Sequence, residues 1–361
     1  MIMEKKLASR LLHLLSIASP TFHESAIADD FQKTVHDQFP DAQCKRHEDS
    51  LIIQFPGDTT LPHIVFVGHS DTVPPFFKPF TQDGKIFGSG ASDMKAALAC
   101  YLTLFETALK KLTDHYRISC IIYAREEGTT LEQNGLSGLL KTYPDFFKSI
   151  DLAIIGEPTN NHIQLGCVGS IHAEIDFIGK ACHSARPWDG KNALYEAIPF
   201  LQEISKLEPV KHTLFGVDFY DVMSVTSTKN DSGRTTIPGK WTANVNFRFA
   251  PVYSLEEAVT YFKNTLHSLG ASPENIRIMD QVPAGSVIET PLFKQVISQL
   301  NQPVEAKQAW TDVAQLTRLG IPAFNFGPGL TSQAHRPDEY VVLSDMVKHC
   351  SLLESLTKRK S

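Results

Sequence analysis

No run of 18 apolar residues occurs anywhere in the 361-residue chain, so no transmembrane helix is expected. The first twenty residues, MIMEKKLASRLLHLLSIASP, also lack a continuous apolar stretch followed by a small-residue cleavage site. Leu7, Leu11, Leu12, Leu14 and Leu15 are interrupted by Arg10 and His13, the pattern of an amphipathic helix rather than a signal peptide. Six cysteines (Cys44, Cys100, Cys120, Cys167, Cys182 and Cys350) are scattered without paired spacing. That argues against a disulfide framework and a cysteine metal site, and the expectation is reduced thiols in a cytoplasmic protein. Positive charge is not in excess: 34 Lys and Arg face 40 Asp and Glu, for a net −6. A chain of that sign has no general attraction to nucleic acid or an anionic membrane, so neither is expected as a partner. Internal repeats and low-complexity linkers are missing as well.

What is present is a normal globular composition in a chain long enough for two domains. Four short apolar runs stand out: IVFVG (64–68), ISCIIYA (118–124), LAIIG (152–156) and AFNFG (323–327). Each is continuous rather than alternating, as in strands buried on both faces of an α/β sheet. The stretch 94–112, MKAALACYLTLFETALKKL, reads as a helix between them. Together they predict a layered α/β domain with a central, mostly parallel sheet.

The middle of the chain has a different rhythm. Strand-like segments at 170–180, 221–228, 241–249 and 276–280 enclose helical patterns at 192–207 and 254–270. The second helix opens on Ser254 with Glu257 three residues on and closes at Gly270, a capping box followed by a C-terminal glycine. The order βαββαβ predicts a ferredoxin-like unit. The expected organisation is a catalytic domain from 1–169 and 282–361, with a lid or dimerisation domain inserted at 170–281.

Three apolar runs lead directly into potential ligands. His69 follows the first, Arg125-Glu126-Glu127 the second, and Glu157 the third. Ligands of open α/β sheets gather at the carboxyl ends of strands, so residues far apart in sequence are placed to converge. In His69-Ser70-Asp71, residues two apart on an extended segment face the same way, so Asp71 is placed to accept from the histidine's second nitrogen and fix its tautomer. Asp93 follows Gly88-Ser89-Gly90-Ala91-Ser92 and precedes the helical pattern. It reads either as a helix-start acid or as a carboxylate bridging two cations. Adjacent Glu126 and Glu127 should point apart, leaving one for metal and one for substrate. Zinc accepts nitrogen and oxygen ligands, and two ions about 3.5–4 Å apart share a carboxylate.

The ordered motifs GHSDTVP, GSGASDMKAALA, AREEGTTLEQNGLSGL, GEPTN and AHRPDEYV resemble the dizinc metallopeptidase family that includes carboxypeptidase G, aminoacylase, acetylornithine deacetylase and succinyl-diaminopimelate desuccinylase. The resemblance covers nearly the whole chain. It implies two Zn²⁺ per subunit, with Co²⁺ able to substitute. His69 and Glu157 would hold one ion, Glu127 and His335 the other, and Asp93 would bridge them. Asp71 would orient His69, Glu126 would be the general base, and the Asp93–Met94 peptide bond would be cis. Within the family, GKACHSARPWDGKNAL (179–194), NFRFAP (246–251) and the stretch 309–341 are most similar to desuccinylases of actinobacterial type. That implies an N-acyl amino acid substrate, N-succinyl-LL-2,6-diaminopimelate first, with an acetylated ornithine or citrulline as the alternative amine. A non-catalytic binding protein would be expected to have lost a ligand or the base. The likeness further implies a homodimer in which His183 completes the partner subunit's site, a carboxylate-binding Arg248, and a substrate loop containing Trp310 and Thr311. Two departures stand out: Thr235-Thr236 precede Ile237-Pro238-Gly239 where an asparagine is common, and Cys167-Val168 replaces an arginine pair.

Overall fold

A computed structural model describes residues 2–230 and 232–358 of the chain. Met1, Asp231 and residues 359–361 fall inside the spans expected for the two domains but lie outside the described residues. The chain divides into two compact units. The first comprises the chain up to Gly166, Val287–Glu305 and the chain from Thr311 onward; the second comprises Cys167–Ser286 with Ala306–Trp310.

The first unit is built on an eight-stranded sheet. Its centre is parallel, in the order Arg117–Tyr123, His63–His69, Leu152–Ile155, Ala323–Asn325. These are the four apolar runs, and nearly every residue in them is buried, which is why they carry no alternation. Antiparallel strands flank the centre: Ser50–Gln54 and Gln43–His47 on one side, Ile163–Leu165 on the other, with Val304–Ala306 beyond it. Helix Ala96–Thr113 packs on this sheet through Tyr101 and Phe105, whose rings meet Phe66 at 5.1 and 5.5 Å. It is apolar on several faces because helices Ile2–Ser16 and Leu343–Glu354 also pack against it. The N-terminal helix buries Leu7, Leu11, Leu14 and Leu15, the stripe read from its sequence.

The second unit holds an antiparallel sheet in the order Val210–Leu214, Val217–Asn230, Lys240–Phe249, Gly169–Ile178, Ile276–Val282. Helices Ala193–Ile204 and Leu255–Ser268 contribute Ala197, Phe200, Phe262 and Leu266 to a core shared with Ile171, Ile175, Val245 and Phe247 of the strands. Both halves of the capping box at Ser254 and Glu257 are formed, and Gly270 has φ 106°. The four strands of the βαββαβ pattern are joined by a fifth, Val210–Leu214, which the sequence reading did not contain. Phe215 and Gly216, both at positive φ, turn this strand back onto the next as a tight hairpin. Residues 306–310 join the unit through main-chain and side-chain hydrogen bonds. Val168 N donates to Lys307 O, and the Gln308 side chain pairs with both backbone groups of Tyr220.

Candidate metal centre

His69 ends its strand and is 1% exposed. Its Nδ1 lies 3.1 Å from the backbone carbonyl of Asp71 and 3.4 Å from the Asp71 carboxylate. A proton held on Nδ1 by those oxygens turns the Nε2 lone pair toward a metal ion. Nε2 is 3.1 Å from Asp93 Oδ1 and 4.0 Å from Glu157 Oε1. On the other side of Asp93, His335 Nε2 is 3.7 Å from Oδ2 and 2.9 Å from Glu127 Oε1. Asp93 thus turns one oxygen toward each histidine. Donor atoms of His69, Asp93 and Glu127 all fall within 4.8 Å of one another.

The local folds that deliver these groups differ. Glu157 follows Gly156 at the end of strand Leu152–Ile155. His335 has φ 64° and comes just after the short turn Thr331–Gln333. Asp93 is neither a helix cap nor a first-turn acid of the long helix. It lies within a wide, π-type turn, Ala91–Lys95, with φ −119° and ψ 92°, and the Asp93–Met94 peptide is cis.

Asp71 has a wider part than orienting His69. Its Oδ1 accepts from the backbone N–H of Glu126 at 3.0 Å, and its Oδ2 accepts from Glu127 N–H at 2.9 Å and from the Thr21 hydroxyl at 3.1 Å. One buried carboxylate therefore ties His69 to the backbone of the adjacent glutamates. Burial opposes its ionisation, but His69 and the two N–H donors hold it below the ordinary carboxylate range. Arg125 precedes the pair at φ 60°, and its N–H donates to Glu24 Oε1 at 3.0 Å; the same oxygen accepts from Phe22 N–H. Glu24 is fully buried. It holds two left-handed residues in place, Phe22 and Arg125, the latter directly before Glu126.

The electrostatics suit a cation. Burial, then the charges of Glu127, Glu157 and Asp312, push Glu126 well above its ordinary value, against the pull of His69. Burial alone would lower His69, but Asp71 and Asp93 outweigh it and raise it well above 6.5. The hydrogen bond to Glu127 raises His335 to about 9. With protein groups alone, the crowded carboxylates are balanced by protons on histidine; divalent cations would balance them without those protons. The donor spacings also fit. Ligands at about 2.0–2.1 Å from a tetrahedral zinc lie roughly 3.3–3.4 Å apart, within the range of 2.9 to 4.0 Å found around Asp93.

Thr311 is buried in the first unit, whereas Trp310, His183 and Arg248 belong to the second. Trp310 is half-buried, and its indole N–H donates to Pro283 O at 3.1 Å. His183 is exposed on a two-residue strand paired with Thr236–Ile237, and its Nδ1 accepts from Ala185 N–H. Arg248 is half-buried, and its Nε donates to Asn246 Oδ1 at 3.0 Å. The Asn246 amide nitrogen donates in turn to Ile171 O at 3.1 Å, which fixes which end of the amide faces the arginine. Asp312 was not among the residues singled out from sequence. It is fully buried, lies beside the Tyr123 hydroxyl, and accepts from Asn134 Nδ2 at 3.2 Å and from Gln315 Nε2. A lone acid before a helix carries no spacing that would reveal it, and Glu24, just ahead of helix Ser25–Gln38, is of the same kind.

Histidine and carboxylate donors at the carboxyl ends of parallel strands, with one glutamate to spare, define a metal-dependent hydrolase site. The chain belongs to the Peptidase family M20/M25/M40, whose sequence profile matches residues 65–359. It is similar to the succinyl-diaminopimelate desuccinylase of Corynebacterium glutamicum, with 29% identity over 349 residues covering 94% of this chain and 93% of that protein. Among solved structures, a tripeptidase from Staphylococcus aureus matches with TM-score 0.77 and 19% identity over 98% of both chains. A dinuclear metal-binding peptidase of the M20 family from Bacillus subtilis matches with TM-score 0.69 and 13% identity over 99% of this chain and 98% of that one. These structural likenesses concern the fold, a mixed α/β architecture with a large, mostly parallel sheet.

Proposed function

We propose that the chain is a two-metal amidohydrolase that converts N-succinyl-LL-2,6-diaminopimelate and water to succinate and LL-2,6-diaminopimelate. The observation that carries this reading is the arrangement of His69, Glu157, Glu127 and His335 around the two oxygens of Asp93. The acyl group is assigned on the likeness to the Corynebacterium glutamicum enzyme. His69 and Glu157 are assigned to one Zn²⁺, Glu127 and His335 to a second, and Asp93 to both, with Co²⁺ able to substitute. Such ions, when bound, polarise the amide carbonyl and make a water molecule acidic at neutral pH.

The remaining work falls to side chains. Glu126 takes a proton from the attacking water and returns it to the departing amine, so one residue serves as base and then acid. Asp71 supports that role by holding the Glu126 N–H while it orients His69. Arg248 is assigned to a substrate carboxylate. Asn246 occupies its Nε, which leaves the terminal guanidinium nitrogens for a two-pronged contact. His183 is assigned to the developing oxyanion in the partner subunit of a homodimer, and Trp310 and Thr311 to the substrate loop. The second unit would serve as the lid and dimerisation domain, and cysteines scattered without paired spacing fit a cytoplasmic setting.

A panel of N-succinyl and N-acetyl amino acids, assayed for amine release with zinc added, tests the proposal. Succinyl-diaminopimelate should exceed acetylornithine in kcat/KM by on the order of 100-fold or more, because a site built for a charged group rejects an analogue that lacks it. Preference for the acetyl compounds would keep the metal-dependent chemistry and change the acyl group. No hydrolysis of any member would remove the amidohydrolase reading.

A further inference from the structure

One carboxylate outside the donor set governs the loop that carries Asp93. Glu339 is 3% exposed, and its side chain is aimed at the backbone of 90–93. Its Oε2 accepts from Gly90 N–H at 2.8 Å; its Oε1 accepts from Ser92 N–H at 2.7 Å and from Asp93 N–H at 2.8 Å. The Glu339 backbone carbonyl accepts a fourth N–H, that of Gly88, at 3.1 Å. The next residue adds a fifth tie, since the Ser92 hydroxyl donates to Tyr340 O at 2.7 Å. Five donors from six consecutive residues thus end on two residues of a distant segment, and that segment begins four positions earlier with His335.

This pattern exceeds what a turn needs for its own satisfaction. Asp93 sits at non-helical φ and ψ, so its N–H has no place in an ordinary helix ladder. Glu339 supplies the missing acceptor at the residue whose two oxygens face His69 and His335. The same short segment also presents His335. We propose that Glu339 is a positioning residue for the metal centre: it fixes the backbone of Asp93 and keeps Asp93 and His335 in register. The inference rests on the two-metal reading of Asp93.

Glu339→Gln is the sharpest probe. An amide has one acceptor oxygen, so it can serve either the Ser92 and Asp93 pair or Gly90, and it meets the other N–H with a second donor. Zinc affinity of the purified full chain would be measured by competition with a chromophoric chelator. Thermal midpoints with and without zinc would be read in parallel. Wild type should take up two zinc ions. The variant should bind at least one of them on the order of 10- to 100-fold more weakly, as for loss of a group that supports a ligand. Its metal-free midpoint should fall by the few degrees that one buried donor–donor mismatch costs, and the rise on adding zinc should shrink as well. Unchanged affinity would overturn the proposal. So would an equal drop of both midpoints with affinity intact, which is what a merely structural contact gives. Should Glu339→Gln fail to fold, Glu339→Asp, which keeps the charge but is one methylene shorter, is judged by the same two readouts. A wild-type protein that takes up no zinc would sink the two-metal reading itself, an outcome distinct from a variant that binds as well as wild type.

Discussion

Glu126 and Glu127 are neighbours whose environments set them apart. Glu127 is hydrogen-bonded to His335, while no hydrogen bond or ion pair is found for the Glu126 carboxylate among the described residues, and it faces the charges of its neighbours. On the proposed mechanism Glu126 makes both proton transfers. Glu126→Gln should therefore keep the fold and the bound metal but lower kcat by about 10²–10⁴-fold, since the isosteric amide cannot accept the water's proton. Steady-state rates with matched zinc content check this; a variant retaining more than about a tenth of wild-type turnover would move the base elsewhere. At this scale, the residues legible in the sequence were those announced by position. His69 and Glu157 are the first side chains beyond an apolar strand and its terminal glycine, and the Glu126–Glu127 pair follows another strand. Glu24, Asp312 and Glu339 gave no such sign, because their partners are backbone or amide groups brought near only by folding.

The elements explain why glycine stands before two of the proposed ligands. Gly68, next to last in its strand, and Gly156, just past the end of the neighbouring parallel strand, both abut the start of the long helix. A Cβ on Gly156 would lie 2.5 Å from Ala97 Cβ and 2.7 Å from Met94 Cε. Both neighbours are buried, and Ala97 has no flexible end to move aside. Gly156→Ala should therefore destabilise the protein by about 1–3 kcal/mol, the usual range for overpacking a tight core. It should also weaken metal binding through Glu157, and denaturant unfolding of metal-free and loaded protein separates the two effects. The central strands and the capped helix of the second unit were readable because burial on both faces and the capping box each leave a sequence signature. The hairpin strand Val210–Leu214 was not. It lies at the sheet edge, carries no fully buried residue, and has a mixed polar sequence that resembles a loop. The π-type turn at Asp93 was also hidden, since its geometry depends on acceptors more than 240 residues away.

For the whole molecule, two buried neutral histidines link stability to pH. Burial, with the charge of Arg117, lowers His63 to about 4, and burial lowers His349 to about 3. His63 rests between Ser119 and Ser149, and His349 against Asn161. Below pH 6.5 the unfolded chain binds protons at these positions that the folded chain refuses, so their contribution to stability is lost as pH drops from about 6.5 toward about 4. For His63 the loss amounts to about 2 kcal/mol by pH 5. In metal-free protein, His63→Gln should show a smaller drop in thermal midpoint between about pH 7.5 and about pH 5 than wild type does. Equal drops would mean that His63 takes up its proton without unfolding. The proposed centre is a pair of metal ions sharing Asp93. A zinc-edge anomalous difference map from crystals of the loaded protein tests it most directly. Two peaks per chain are expected, about 3.5–4 Å apart, one against His69, Asp93 and Glu157 and the other against Asp93, Glu127 and His335. A single peak, or two peaks that do not share Asp93, would contradict it.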